Sequence, residues 1–120
     1  KTLLAQGFIR SCCDDQTLRV PSPTYLLDQS YHTGLVEIHH FDLQRLVSQS
    51  DLSSLNMDHI FQNCVSLIEW PDRLNNLPHS RLDIHLDIKF MTDIREVRLE
   101  PHGHRWESCL EIVNKHYVDT

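Results

Sequence analysis

Lys1 and Thr2 open the chain, and Leu3, Leu4, Ala5, Phe8 and Ile9 follow at helical spacing, so an amine and a hydroxyl stand at the head of a predicted helix running to about Cys13. That pairing suits phosphate chemistry. A lysine there reaches β- and γ-phosphate oxygens, and a threonine hydroxyl supplies an oxygen to Mg²⁺. Of the signature Gly, four residues, Gly-Lys-Ser/Thr, only the last two letters are represented. The second feature is an acid at a strand end. Cys64-Val65-Ser66-Leu67-Ile68 is a short apolar run that delivers Glu69 where a buried central strand would end. The alternative for Glu69 is a surface carboxylate beside Arg73.

Histidine and cysteine give less. His39 and His40 fall on opposite faces of a strand, so both cannot readily bind one ion. His102-Gly103-His104 has closer spacing but no third ligand nearby, and no structural zinc is expected. Cysteines 12, 13, 64 and 109 include no Cys-x-x-Cys pair and read as buried thiols in a reducing compartment.

The elements that must position Lys1, Thr2 and Glu69 read as a mixed α/β chain. Pro21 and Pro23 hold the stretch after the first helix extended. Tyr25 to Tyr31 and Leu35 to Phe41 are predicted strands joined near Gly34, as in a hairpin. Leu43, Leu46 and Val47 give helical spacing to Asp42 through Ser50, and a second helical piece ends near Phe61. Leu82 to Ile88 and Ile94 to Leu99 alternate apolar and polar residues, as in an antiparallel pair, and Trp106 to Tyr117 is a predicted amphipathic helix.

Four segments in order, Lys1-Thr2, Ser22-Pro23-Thr24-Tyr25, His40-Phe41-Asp42-Leu43-Gln44-Arg45-Leu46 and Leu67-Ile68-Glu69-Trp70-Pro71-Asp72, together resemble the TsaE (YjeE) family. Leu77-Pro78 and Leu82-Asp83-Ile84-His85-Leu86 extend the likeness to about Leu99. Gln44 stands where the family has Tyr, and Asp72 where Glu is common. The resemblance implies a P-loop NTPase-like mixed sheet with flanking helices, lacking here its N-terminal strand and most of the phosphate loop. It also implies a Mg²⁺-dependent ATPase that serves tRNA threonylcarbamoyladenosine modification beside a TsaB–TsaD heterodimer, touching tRNA only through those partners. Lys1, Thr2, Thr24 and Trp70 would bind the nucleotide, Thr2 and Glu69 the Mg²⁺, and Glu69 and Asp42 would be catalytic. Plainer alternatives stand beside these roles: a chance pair for Lys1-Thr2, a turn hydroxyl for Thr24, a helix N-cap for Asp42, and a core or rim aromatic for Trp70. A non-catalytic interaction module that has lost nucleotide binding is the rival reading.

Composition agrees with a single domain over residues 1–120. Eleven basic against 17 acidic side chains give a net charge of −6, which disfavours an extensive direct grip on a phosphate backbone. The apolar fraction of 40% is ordinary, and no run suits a membrane span. The expected compartment is the bacterial cytoplasm, or an organelle if the source is eukaryotic.

Overall fold

The computed structural model describes residues 1–23 and 26–117 and divides into two compact units, Lys1–Leu77 and Pro78–Thr120. In the first unit, helix α1 (Thr2–Cys12) buries Ala5 and Ile9, four residues apart and so on one helical face. From the same helix Gln6 donates to the Val20 carbonyl at 2.7 Å and Arg10 to the Leu18 carbonyl at 2.9 Å. The extended return segment is thereby pinned to the helix.

Strands β1 (Asp28–His32) and β2 (Glu37–Asp42) form the expected antiparallel hairpin, with Asp28 opposite Phe41 and His32 opposite Glu37. The Thr33 hydroxyl closes its turn by accepting from the Leu35 and Val36 amides. Tyr25, the predicted start of the first strand, lies outside the described residues. Strand β2 then pairs in parallel with β3 (Val65–Glu69), giving the sheet order β1-β2-β3. Parallel neighbours cannot be joined by a tight turn. The chain crosses over through α2 (Met57–Asn63), whose N-cap Asn56 accepts from the His59 amide.

The helix expected from Asp42 to Ser50 does not form. Strand β2 runs through Asp42, whose carboxylate accepts from the Gln44 amide at 3.1 Å, while the Leu43 amide donates to the Glu69 carbonyl at 3.2 Å. This local bond offers the backbone an alternative to a helix. Only a short 3₁₀ turn follows at Gln49–Leu52, started by a capping box of Ser48 and Asp51. Leu43 and Leu46 are buried all the same, so their spacing reflects burial rather than helix.

Strand β2 is covered on both faces. Ile38 joins Ile9 and Val20 on one, and Phe41 joins Leu43, Leu46, Leu52 and Ile60 on the other. The cysteines depart from the sequence expectation of buried thiols: Cys12 and Cys109 are exposed, Cys13 and Cys64 half-buried, and all four are free. Desolvation, then the carboxylates of Glu37 and Asp28, push the Cys64 thiol above its ordinary range.

In the second unit β4 (Arg81–Ile88) and β5 (Arg95–His102) form an antiparallel pair, and α3 (His104–Tyr117) follows. Ile84 stands opposite Leu99 and Leu86 opposite Val97 on one face, with Asp83 opposite Glu100 on the other. Gly103 joins β5 to α3 at φ +98°, a left-handed value that costs glycine little, and its carbonyl accepts from the Trp106 and Glu107 amides. Among the described residues no helix is long and apolar enough to cross a membrane.

Phe41 is fully buried at the middle of its cluster. Phe41→Ala is expected to lower unfolding free energy by about 3–5 kcal/mol in urea titrations, whereas Val97→Ala, at a 55% exposed position, should stay within about 0.5 kcal/mol.

Candidate functional site

The parallel register of β2 and β3 sets Asp42 beside Glu69, so two acids end adjacent strands at their carboxyl ends. In open α/β sheets this is the edge where ligands bind. Alternation puts Asp42, His40 and Ile38 on one face of β2, and their register partners Glu69, Leu67 and Val65 on the same face of β3. This is the face that Ile9 of α1 covers. The start of α1 therefore arrives over the two acids.

Glu69 is the centre of the resulting cluster. It is only 9% exposed, and its carboxylate is engaged from two sides. The Thr2 hydroxyl donates to Oε1 at 3.1 Å, and His40 Nε2 stands 2.8 Å from Oε2. A buried carboxylate without such partners would cost several kcal/mol. Asp42, also buried, accepts from the Ser22 hydroxyl at 3.2 Å and from the Gln44 amide at 3.1 Å. These bonds place the Ser22-Pro23 segment at the site; Thr24, its next residue, lies outside the described residues.

Trp70 leaves β3 in the left-handed region, at φ 62° and ψ 54°, immediately after Glu69 and before Pro71. A bulky non-glycine residue there is strained by about 1–3 kcal/mol, and such positions concentrate at functional sites. Its ring lies under the Lys1 ammonium, with Nζ 4.2 Å from the ring centroid, within cation–π range.

Of the residues singled out in the sequence, Lys1, Thr2, Asp42, Glu69 and Trp70 thus come together at one sheet edge, from the start of the chain and the ends of two strands. His40 and Ser22 are members that sequence reasoning missed. His40 is fully buried, bonded to Glu69 through Nε2, and its Nδ1 has no partner among the described residues. A signal for it exists: His40 is two residues from Asp42, which in a strand means one face. The oxygens of Thr2, Glu69 and Asp42 are the hard donors that suit Mg²⁺, and the amine of Lys1 beside a helix N-terminus suits phosphate.

A mixed sheet carrying a lysine and a threonine at the head of its first helix, over acids at strand ends, is a P-loop NTPase-like fold. The crystal structure of Bacillus subtilis YdiB shares it, with a TM-score of 0.74 and 24% identity over 97% of this chain and 70% of that one. The chain belongs to the TsaE family: the family model for "Threonylcarbamoyl adenosine biosynthesis protein TsaE" matches residues 1–97. Proteins named tRNA threonylcarbamoyladenosine biosynthesis protein TsaE are similar to it. The one from Bacillus subtilis is 30% identical over 97% of this chain, that of Rickettsia bellii 31% over 78%, and that of Haemophilus influenzae 31% over 82%. The chain spans 72%, 63% and 61% of those three proteins respectively.

His40→Leu removes one partner of a buried carboxylate and is expected to cost about 2–3 kcal/mol in chemical denaturation. Combining it with Glu69→Leu should cost less than the sum of the single changes, with a coupling energy of about 1–3 kcal/mol. Additive losses would show that the contact carries no energy.

Proposed function

We propose that this chain is the ATP-binding and ATP-hydrolysing subunit of the machinery that makes threonylcarbamoyladenosine in tRNA. It would work in the cytoplasm, in association with a TsaB–TsaD heterodimer. The observation that carries the proposal is the convergence of the Thr2 hydroxyl on the Glu69 carboxylate, with Asp42 alongside and Lys1 at the mouth. An ATP phosphate chain with Mg²⁺ would find its anion site at the α1 N-terminus and Lys1, and its oxygen ligands in Thr2 and Glu69. Bound there, the pair supplies a cleavable phosphoanhydride and a metal that neutralises the charge developing on its oxygens.

The chain's own residues do the rest by holding geometry. Glu69 is fixed by His40 behind it and Thr2 in front, so its oxygens cannot turn away from the site. Asp42 is held by Ser22 and the Gln44 amide, and from the neighbouring strand it can orient an attacking water. Trp70 gives the Lys1 ammonium a ring to rest on, which holds that charge beside the two acids. Phosphoryl chemistry asks mainly for such positioning and for charge stabilisation. The tRNA assignment is supported by family membership, and the docking of this subunit on protein rather than on RNA by the net charge of −6.

The test is a nucleotide-binding titration and a Mg²⁺-dependent ATPase assay, run with and without TsaB–TsaD. Glu69→Gln is expected to lower turnover by about 100-fold or more while co-purification with the heterodimer persists. Hydrolysis at the unsubstituted rate in Glu69→Gln would overturn the role given to that acid. Failure of the unsubstituted protein to bind ATP under any of these conditions would favour a non-catalytic interaction module instead.

A further inference from the structure

The opposite face of the same sheet carries a second constellation that the proposed ATPase chemistry does not use. Glu37 and His39 are two residues apart on β2 and so project to the face away from His40. Cys64 sits at the C-cap of α2, one residue before β3, its amide bonded to the Ile60 carbonyl at 2.9 Å. One ligand atom from each of these three residues can be chosen so that all lie within 4.8 Å of one another. His39 Nε2 is 3.3 Å from Glu37 Oε1, and the Cys64 sulfur is 3.9 Å from Glu37 Oε2. Around a tetrahedral zinc ion, sulfur, nitrogen and oxygen ligands stand about 3.3–3.8 Å apart, as follows from metal–ligand lengths near 2.0–2.3 Å. The two contacts to the Glu37 carboxylate are close to that spacing, one through each of its oxygens.

Asp28 completes the pattern. Its carboxylate holds His39 Nδ1 at 2.9 Å, from the neighbouring strand, with both side chains 11% exposed. A carboxylate on the far nitrogen is the support that metal-bound histidines characteristically have, because it fixes the ring and the tautomer. The other ring nitrogen, Nε2, faces the Glu37 carboxylate. Ser66, the register partner of His39 on β3, adds a buried hydroxyl with no partner among the described residues on this face. Glu37 is 37% exposed, which leaves a route for an ion and a place for water as fourth ligand.

We propose that Glu37, His39 and Cys64 bind a borderline-soft divalent transition metal, of which Zn²⁺ is the natural representative, with Asp28 orienting His39. The donor set of one sulfur, one nitrogen and one oxygen selects against Mg²⁺, which takes oxygen ligands, so the two faces of the sheet would sort two kinds of metal. The proposal stands against the sequence expectation of no structural zinc, which weighs His39 only against His40 and not against residues of other strands. The comparable group in the second unit, Asp83, Glu100 and His102, is a weaker candidate. There Arg81 already neutralises Asp83 at 3.1 Å and Arg98 approaches Glu100 at 3.8 Å.

The experiment is a Co²⁺ titration of the full, untagged chain in excess Mg²⁺, read by thiolate-to-cobalt charge-transfer absorption, followed by displacement with Zn²⁺. One Co²⁺ per chain with a charge-transfer band is expected. Cys64→Ser should abolish the band, and His39→Gln should weaken Zn²⁺ binding about 100-fold. Asp28→Asn should keep the band and weaken binding about 10–100-fold, as loss of a supporting carboxylate does. His102→Gln and Cys109→Ser should change neither. Circular dichroism checks that each variant is folded; if Cys64→Ser is not, Glu37→Gln and Asp28→Asn decide the matter, since each must weaken the ion in a folded protein. A band that survives in Cys64→Ser, or Zn²⁺ affinity unchanged in Asp28→Asn and Glu37→Gln, would overturn the proposal. Because the readout is metal affinity without nucleotide, its outcome is independent of ATPase activity.

Discussion

A carboxylate at the end of a buried strand has to be held, and the way Glu69 is held organises the first unit of this protein. At 9% exposure it has lost most of its water, and the Thr2 hydroxyl and the His40 ring replace it. Each partner imposes a constraint elsewhere. Thr2 can reach only if α1 begins above the strand ends, which Ile9 and Val20 secure by packing on Ile38. His40 can reach only if β2 lies beside β3 in parallel and in the register that sets Asp42 against Glu69. That register in turn requires the crossover through α2. A one-residue slip of either strand would move its acid to the other face.

Strand β2 is the element on which both faces depend. Its even positions, Ile38, His40 and Asp42, run from core to site on the α1 face. Its odd positions, Glu37, His39 and Phe41, run from the half-exposed edge to the second core cluster, and His39 stacks on Phe41 with ring centroids 5.9 Å apart. A single strand therefore carries two separate sets of polar groups, one on each face. Oxygen donors gather with an amine on one side, and a thiol, an imidazole and carboxylates on the other. The alternation that separates them is a property of extended backbone, and it forbids neighbouring His39 and His40 from sharing a ligand.

Much of this architecture is legible in the order of residues. Period-two alternation locates β4 and β5 to within a few residues, because each pairs along its whole length and shows one apolar face. The hairpin of β1 and β2 follows from two short strand patterns around Gly34. Helical spacing misleads at Leu43, Leu46 and Val47. There the apolar residues fill a core from an irregular segment, while the Asp42 side chain satisfies the backbone locally. The cysteines mislead for a different reason. Residue type predicts burial on average, but Cys12 and Cys109 sit on the outer faces of amphipathic helices, where type does not decide exposure.

The sequence by itself determined the order of the motif residues, with Lys1-Thr2 heading a helix and Glu69 closing an apolar strand, and the family that this order defines. It could do so because helix and strand periodicity are local, and the motif residues are adjacent in the chain. Which residues meet was decided only by tertiary structure. The pairing of Thr2 with Glu69, the burial of His40 beneath that acid, and the meeting of Glu37, His39 and Cys64 all join residues from different elements. Their contacts are fixed by a parallel register and a crossover, which depend on distant segments packing together and leave no periodic trace in the chain.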